Sequence, residues 1–222
     1  MKKKCQRSFC IAAGLLVGFV LWTLFVRLID VQAIGPLGSS VGFATLNGYV
    51  HRLTGVHMSL YHLTDWLSLI PIAIVLGFGV LGLWQWIRRK SLFAVDGSIV
   101  MLGIFYIVVM SFFVFFEYAV INYRPVLIEG RLEPSYPSST TMLVMCVMPT
   151  AAMQLFERVK NRLLLRIGVV AIVAFVAFMV SGRLISGVHW LSDIIGGAML
   201  SAALVVAYDG AGKLNLFAKK SI

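Results

Sequence analysis

The sequence predicts an all-α integral membrane protein, a bundle of six transmembrane helices with short interfacial helices between the first and second spans. Three observations carry this. The 222 residues are 60% apolar and only 13% charged, with a mean hydropathy of +0.93, far from the balance of a water-soluble globule. Apolar runs recur six times at about the 20 residues a helix needs to cross the hydrocarbon core. Lys and Arg segregate between the connections, so that an even number of crossings gathers most of them on one face. With 12% aromatic residues the chain also has too much surface to bury for intrinsic disorder.

The spans fall at about 9–28, 66–87, 98–116, 139–156, 163–180 and 190–208, and residues 1–222 form a single membrane domain. The first follows Lys2, Lys3, Lys4 and Arg7. It is longer than the roughly 7–15 residues of a secretory signal core, which fits an uncleaved signal anchor. Between 39 and 65, Phe43, Leu46, Tyr49, Leu53 and Tyr61 alternate with Asn47, His51, Arg52, His57 and His62, broken by Gly48 and Gly55. That pattern predicts one or two short amphipathic helices at the outer interface. The fourth span opens on Pro137-Ser138-Ser139-Thr140-Thr141, which suits a helix N-cap. The sixth is expected to begin near Val188. Gly77, Gly79, Gly82, Gly196 and Gly197 are read as sites of close helix packing.

Fourteen of the 19 Lys and Arg lie on one side of this topology: at the N-terminus, at Arg88-Arg89-Lys90, between Arg158 and Arg166, and at the C-terminus. The positive-inside rule makes that side cytoplasmic, with both termini there, in a plasma-membrane protein. The net charge of +10 is therefore an orientation signal and a surface for anionic headgroups, and nucleic-acid binding has no support. Cys5, Cys10 and Cys146 have neither disulfide nor metal spacing. His51, His57 and His62, six and five apart, spread around a helix and read as interface histidines, so no metal and no cofactor is expected.

Polar residues gather in two clusters on the opposite, outer side, where charges near a bilayer mark function. One runs from Glu117 through Arg124-Pro125, Glu129, Arg131 and Glu133 to Ser138–Thr141. The other is Ser181-Gly182-Arg183 with His189 and Asp193. With the last helix starting near Val188, His189 and Asp193 share a face four residues apart, and the carboxylate sets the imidazole tautomer. A turn brings Arg183 back as an anion clamp. Arg124 adds a second cation, and the N-terminus of the fourth span, with Ser138, Ser139 and Thr140, adds a positive dipole end. The set suits metal-free phosphoryl transfer to a nitrogen nucleophile.

These motifs resemble the type 2 phosphatidic acid phosphatases, or lipid phosphate phosphatases. That family's signature is a Lys six residues before Arg-Pro, then Pro-Ser-Gly-His, then Ser-Arg, five residues, His, three residues and Asp. Arg183, His189 and Asp193 match the third element, with Gly182 for its serine. The first keeps Arg124-Pro125 with Glu117 for its lysine, and the second reads Pro137-Ser138-Ser139-Thr140. The resemblance implies a six-span bundle with its site at the outer face. It further implies that His189 forms a phosphohistidine, that Asp193 orients it, and that Arg124, Arg183 and Ser138 bind the phosphate of a membrane lipid.

Two positions depart from the pattern. Thr140 stands where the family has the histidine that protonates the leaving oxygen, and Glu117 exchanges a cation for a carboxylate, which weakens anion binding unless Arg131 swings in. General acid help is worth ~10²–10⁴ in rate, and an alkoxide leaving group needs it most. A lipid phosphate leaving from a diphosphate has a second pKa near ~6 and needs it least. The expectation is a lipid phosphatase favouring a polyprenyl-type diphosphate. Two alternatives stay open: a lipid-phosphate binding or scaffold protein without turnover, and a lipid transporter, which has six spans but no matched pair of broken helices.

Overall fold

The computed structural model describes residues 2–213; Lys219 and Lys220 of the charge count lie outside the described residues. The described chain is helical almost throughout. α1 spans Lys2–Leu28, α2 Ala44–Thr54, α3 Met58–Leu67, α4 Leu69–Arg89, α5 Gly97–Tyr118, α6 Ser139–Arg158, α7 Arg162–Ile185 and α8 Leu191–Lys213. Among the described residues six stretches are long and apolar enough to cross a membrane, and the second joins α3 and α4 as Met58–Arg89. The protein is a multi-pass membrane bundle, with α2 between the first and second spans as expected and α3 running into the second.

Local chemistry sets the helix ends. Ser138 accepts at Oγ from the Thr141 N–H at 3.4 Å, which caps α6 where the Ser-Ser-Thr-Thr run predicts. Asn161 caps α7 by accepting from Leu163 N at 2.9 Å and Leu164 N at 3.2 Å. α2 stops at Gly55, whose φ of 68° is left-handed and suits a residue without Cβ. Asp96 precedes α5 but spends its carboxylate elsewhere: Arg89 Nη1 donates to Oδ1 at 2.8 Å and Gln85 Nε2 to Oδ2 at 2.8 Å. Those bonds, the Arg89 one foremost, hold the Asp96 pKa below the usual carboxylate range and tie α4 to α5 at the basic end.

Several boundaries differ from the hydropathy reading, three of them near the outer end of the bundle. α3 continues into α4 through Ser68 alone, so apolar helix begins before residue 66. α7 runs five residues past 180, because Arg183 in its last turn is buried against polar partners and does not end the helix. α8 begins at Leu191, not near Val188. There the Asp193 carboxylate accepts from the Trp190 N–H at 3.0 Å, while the Trp190 indole donates to Tyr123 O at 2.7 Å. Trp190 is thereby held as the residue before the helix, and His189 lies outside it.

α6 and α8 are the inner helices, while α4 and α7 turn most of their length outward. α8 packs along α1 and α6, around a core that includes Phe19, Leu102, Phe105, Met142, Cys146 and Leu200. Thr150 and Gln154, buried within the α6 span, find internal partners, as hydrocarbon requires. Thr150 donates to Cys146 O at 2.8 Å and lies 3.2 Å from the Tyr106 hydroxyl, and Gln154 donates to Tyr208 at 3.1 Å.

The glycines divide into two kinds. A Cβ on Gly196 would stand 2.6 Å from the Tyr136 ring, and one on Gly197 3.0 Å from Ser138 O. Tyr136 is itself fixed by a 2.7 Å bond to Thr23 Oγ1. Gly82 is tight as well, with Ile99 at 3.1 Å, but Gly77 and Gly79 face nothing within 4 Å. For those two the close-packing reading fails. Gly196→Ala is expected to lose about 1–3 kcal/mol by overpacking, and Gly79→Ala to be neutral or to gain up to ~1 kcal/mol of helix propensity. Thermal unfolding in one detergent checks the pair.

Candidate active site

The site forms where the C-terminal ends of α5 and α7 meet the N-terminal ends of α6 and α8. The 119–138 connection folds back on itself through antiparallel bridges between Tyr123 and Pro134 and between Ile128 and Arg131. Arg124 N donates to Glu133 O at 3.0 Å within it. This ladder aims the Arg124 side chain inward, where it is 9% exposed. From the other side, the Ser186-Gly187 turn after α7 delivers His189, 3% exposed.

Arg124 Nη1 lies 3.3 Å from His189 Nε2. A guanidinium can only donate, so Nε2 accepts with its lone pair and the ring proton sits on Nδ1. Nδ1 faces Asp193 Oδ2 at 3.8 Å, an ion-pair separation longer than a hydrogen bond. Burial drives the His189 pKa down to about 4; Asp193 opposes the shift, and Arg124 and Arg183 add to it. The ring is neutral at pH 7, with its Nε2 lone pair turned to the Arg124 guanidinium. That is the form a nitrogen nucleophile needs.

His189 and Arg124 line a cavity of about 130 Å³ whose lining also includes Glu117, Glu133, Tyr136 and Ser139. Arg124 Nε is 3.0 Å from the Glu133 carboxylate, so the cation of the cavity is already paired. Glu117 sits at the rim on the last turn of α5. Arg131 stays at the exposed tip of the hairpin, bonded through its backbone to Ile128, and does not line the cavity.

The remaining sequence-derived residues form a second, adjoining cluster. Arg183 Nη2 donates to Thr140 Oγ1 at 2.6 Å and to Asp65 Oδ1 at 3.3 Å, Nη1 reaches Thr64 Oγ1 at 3.4 Å, and the guanidinium lies 4.9 Å above the Tyr61 ring. Thr140 thus serves as an acceptor for Arg183, and neither lines the cavity among the described residues. Ser138 is fully buried as the α6 cap, with its N–H on Asp193 O at 3.0 Å. The expected helical pairing of His189 with Asp193 is replaced by a turn that brings them together with Asp193 alone on the helix.

Asn47, Asn122 and Ser192 escaped the sequence reading. Asn122 Nδ2 donates to Asp193 Oδ1 at 3.2 Å, and its Oδ1 accepts from Gly42 N at 3.3 Å. Asn47 donates to Ser192 Oγ at 2.9 Å and accepts from Ser192 N at 3.1 Å. Their signal was only that two amides sit in otherwise apolar surroundings. Among the described residues no three His, Cys, Asp or Glu converge to hold a metal.

All of these elements except Gly42, Asn47, Tyr61, Thr64 and Asp65 lie within residues 117–209, and that segment matches the family model of the PAP2 superfamily. The resemblance to the PAP2 phosphatases holds. The chain is also similar in structure to a transmembrane PAP2-type phosphatidylglycerolphosphate phosphatase from Bacillus subtilis, with a TM-score of 0.68 over 95% of this chain and 98% of that one. Sequence identity between them is 13%, so the likeness speaks for a shared PAP2 fold. No curated protein sequence matches the chain at a significant level.

The neutral, buried His189 of this PAP2-like site has a measurable cost in acid. Its folded pKa lies below the free value of 6.5, so between pH 6.5 and about 4 the unfolded chain binds a proton that the folded chain does not. Stability is complete above that window and falls as pH drops through it, by up to about 1.4 kcal/mol per pH unit. The thermal midpoint of wild type is expected to decline over this range more steeply than that of His189→Asn.

Proposed function

We propose that this protein is a membrane lipid phosphatase that acts through a phosphohistidine at His189, favours a lipid diphosphate over a monophosphate, and works at the outer face of the plasma membrane. The observation that carries this reading is the cavity in which a neutral imidazole Nε2, backed by Asp193, faces the Arg124 guanidinium. The PAP2 match supports the reaction class and a phosphorylated lipid as substrate.

On substrate binding, Arg124 exchanges its contacts with His189 and Glu133 for phosphate oxygens, assisted by Ser139 and the N-terminus of α6. Nε2 attacks the terminal phosphorus, a P–N bond forms, and the bond to the bridging oxygen breaks, so that the lipid phosphate leaves as an anion. The positive charge that develops on the ring is offset by Asp193, whose contact with Nδ1 shortens from its resting length. Water then attacks the phosphohistidine, the P–N bond breaks, and inorganic phosphate leaves. Arg183 and Ser138 act from the adjoining cluster, Arg183 by its field and Ser138 by holding the end of α6. The outer face is supported by the site's position at the end of the bundle opposite Arg88–Lys90 and Arg158–Arg166, the basic connections that face the cytoplasm by the positive-inside rule.

Thr140 favours a second reading. Its hydroxyl is committed to Arg183, so no titrating group stands where the family keeps its acid, and a lipid-phosphate binding protein without turnover has the same pocket. Phosphate release by detergent-purified protein separates the two. Polyprenyl diphosphate is expected to release phosphate about 10²-fold faster than the monophosphate, from the worth of the missing acid, and His189→Ala to abolish release. Equal turnover of both substrates, unchanged by Thr140→Val, would defeat the diphosphate preference. Lipid binding that depends on Arg124 without any release would establish the binding protein.

A further inference from the structure

The cavity at His189 holds more negative charge than an anion site needs. Among its described lining residues Arg124 is the one Lys or Arg, whereas Glu117 and Glu133 are both carboxylates. Each opposes a phosphate by charge, so a role other than binding it is called for. The chemistry leaves one open. Hydrolysis of a phosphohistidine is helped by a base that takes a proton from the attacking water. Thr140 is not that base, because its hydroxyl accepts from Arg183 and it does not line the cavity among the described residues. Asp193 is not either: it is fully buried on the Nδ1 side of the ring, and its oxygens accept from Trp190 N–H and Asn122 Nδ2.

The two glutamates differ in how they are held. Glu117 is exposed and makes no ion pair among the described residues. Glu133 is fixed beside Arg124 twice over. Its carbonyl accepts from Arg124 N at 3.0 Å across the ladder, and its Oε2 lies 3.0 Å from Arg124 Nε. His189 Nε2 lies 3.3 Å from Nη1 of the same guanidinium. Nucleophile and carboxylate thus meet the phosphate-binding cation at different nitrogens. Arg124 Nε is buried yet makes no aligned hydrogen bond, so charge alone holds the Glu133 side chain there, in a half-exposed pair of a kind that is weak. A phosphate displaces it readily, and the backbone bond keeps the freed carboxylate at the cavity.

We propose that Glu133 is the general base of the second step: released from Arg124 by the phosphoryl oxygens, it takes a proton from the water that attacks the phosphohistidine. The water oxygen bonds to phosphorus, the P–N bond breaks, and its electron pair returns to Nε2. Inorganic phosphate leaves with the water's other proton, and Glu133, whose side chain is 39% exposed, passes its proton to solvent and returns to Arg124. The inference rests on the phosphohistidine reading above and leaves the first step without an acid, as a diphosphate preference requires. In the test, polyprenyl diphosphate radiolabelled at its terminal phosphorus is mixed with the detergent-purified full chain and quenched in alkali, which preserves P–N bonds. In Glu133→Gln the first turnover, read as one lipid monophosphate released per chain, should stay within fivefold of wild type. Steady release of inorganic phosphate should fall about 10²-fold, with label accumulating on the chain. Steady release unchanged, or both phases lost together without retained label, overturns the proposal. Neither release nor label in wild type defeats the phosphohistidine reading itself, and the proposal with it. Should Glu133→Gln fail to fold, Glu133→Ala carries the test: sodium formate, a carboxylate small enough for the vacated space, should discharge the retained label at least tenfold faster than sodium chloride of equal ionic strength. Equal discharge in the two salts overturns the proposal.

Discussion

Asp193 is fully buried at the first turn of α8, and an ionised carboxylate there is tolerable only if the protein supplies what water would have. Trp190 N–H, Asn122 Nδ2 and Ser192 Oγ do so at 3.0, 3.2 and 3.5 Å. Each donor comes with an obligation of its own. Asn122 also takes Gly42 N, Ser192 is held by Asn47, and the Trp190 indole reaches Tyr123. One charge therefore fixes the α1–α2 connection, the 119–138 connection and the α7–α8 turn relative to one another. His189 rides on that last turn, so its position follows from how its carboxylate partner is satisfied.

The electrostatics of the site follow the same logic of mutual constraint. Desolvation keeps the imidazole neutral and its lone pair available, and the nearby guanidinium groups reinforce this while creating the positive field an anion requires. In the resting protein Glu133 sits against Arg124 at 3.0 Å, which neutralises the cavity until a stronger anion displaces it. Arg183 is spread over Thr64, Asp65 and Thr140 and stacked on Tyr61, which makes it part of the wall that α3, α6 and α7 share.

Much of this was legible in the sequence where one interaction dominates. Span number follows from hydrocarbon thickness, the cap at Ser138 from the chemistry of one hydroxyl, and the association of Arg124, His189 and Asp193 from motif spacing. Legibility ended where an outcome depends on partners distant in the chain. The start of α8 slipped to Leu191 because Asp193 and Tyr123 together hold Trp190 out of the helix. Asn47 and Asn122 look like ordinary interfacial polar residues until Ser192 and Asp193 are seen beside them. Glycines identical in sequence serve opposite ends, Gly196 admitting the Tyr136 ring and Gly79 admitting nothing from the chain itself.

The uneven burial of the helices has a consequence for how such a protein can change. Half or more of α6 and α8 is buried, whereas few residues of α4 and α7 are. Enclosed positions are constrained by shape, down to single atoms at Gly196. Outward positions are constrained by solubility in oil, a demand that leucine, valine, isoleucine and phenylalanine meet equally well. Long stretches of the chain are thus specified by class of residue and not by residue, and substitutions can accumulate there without disturbing the architecture.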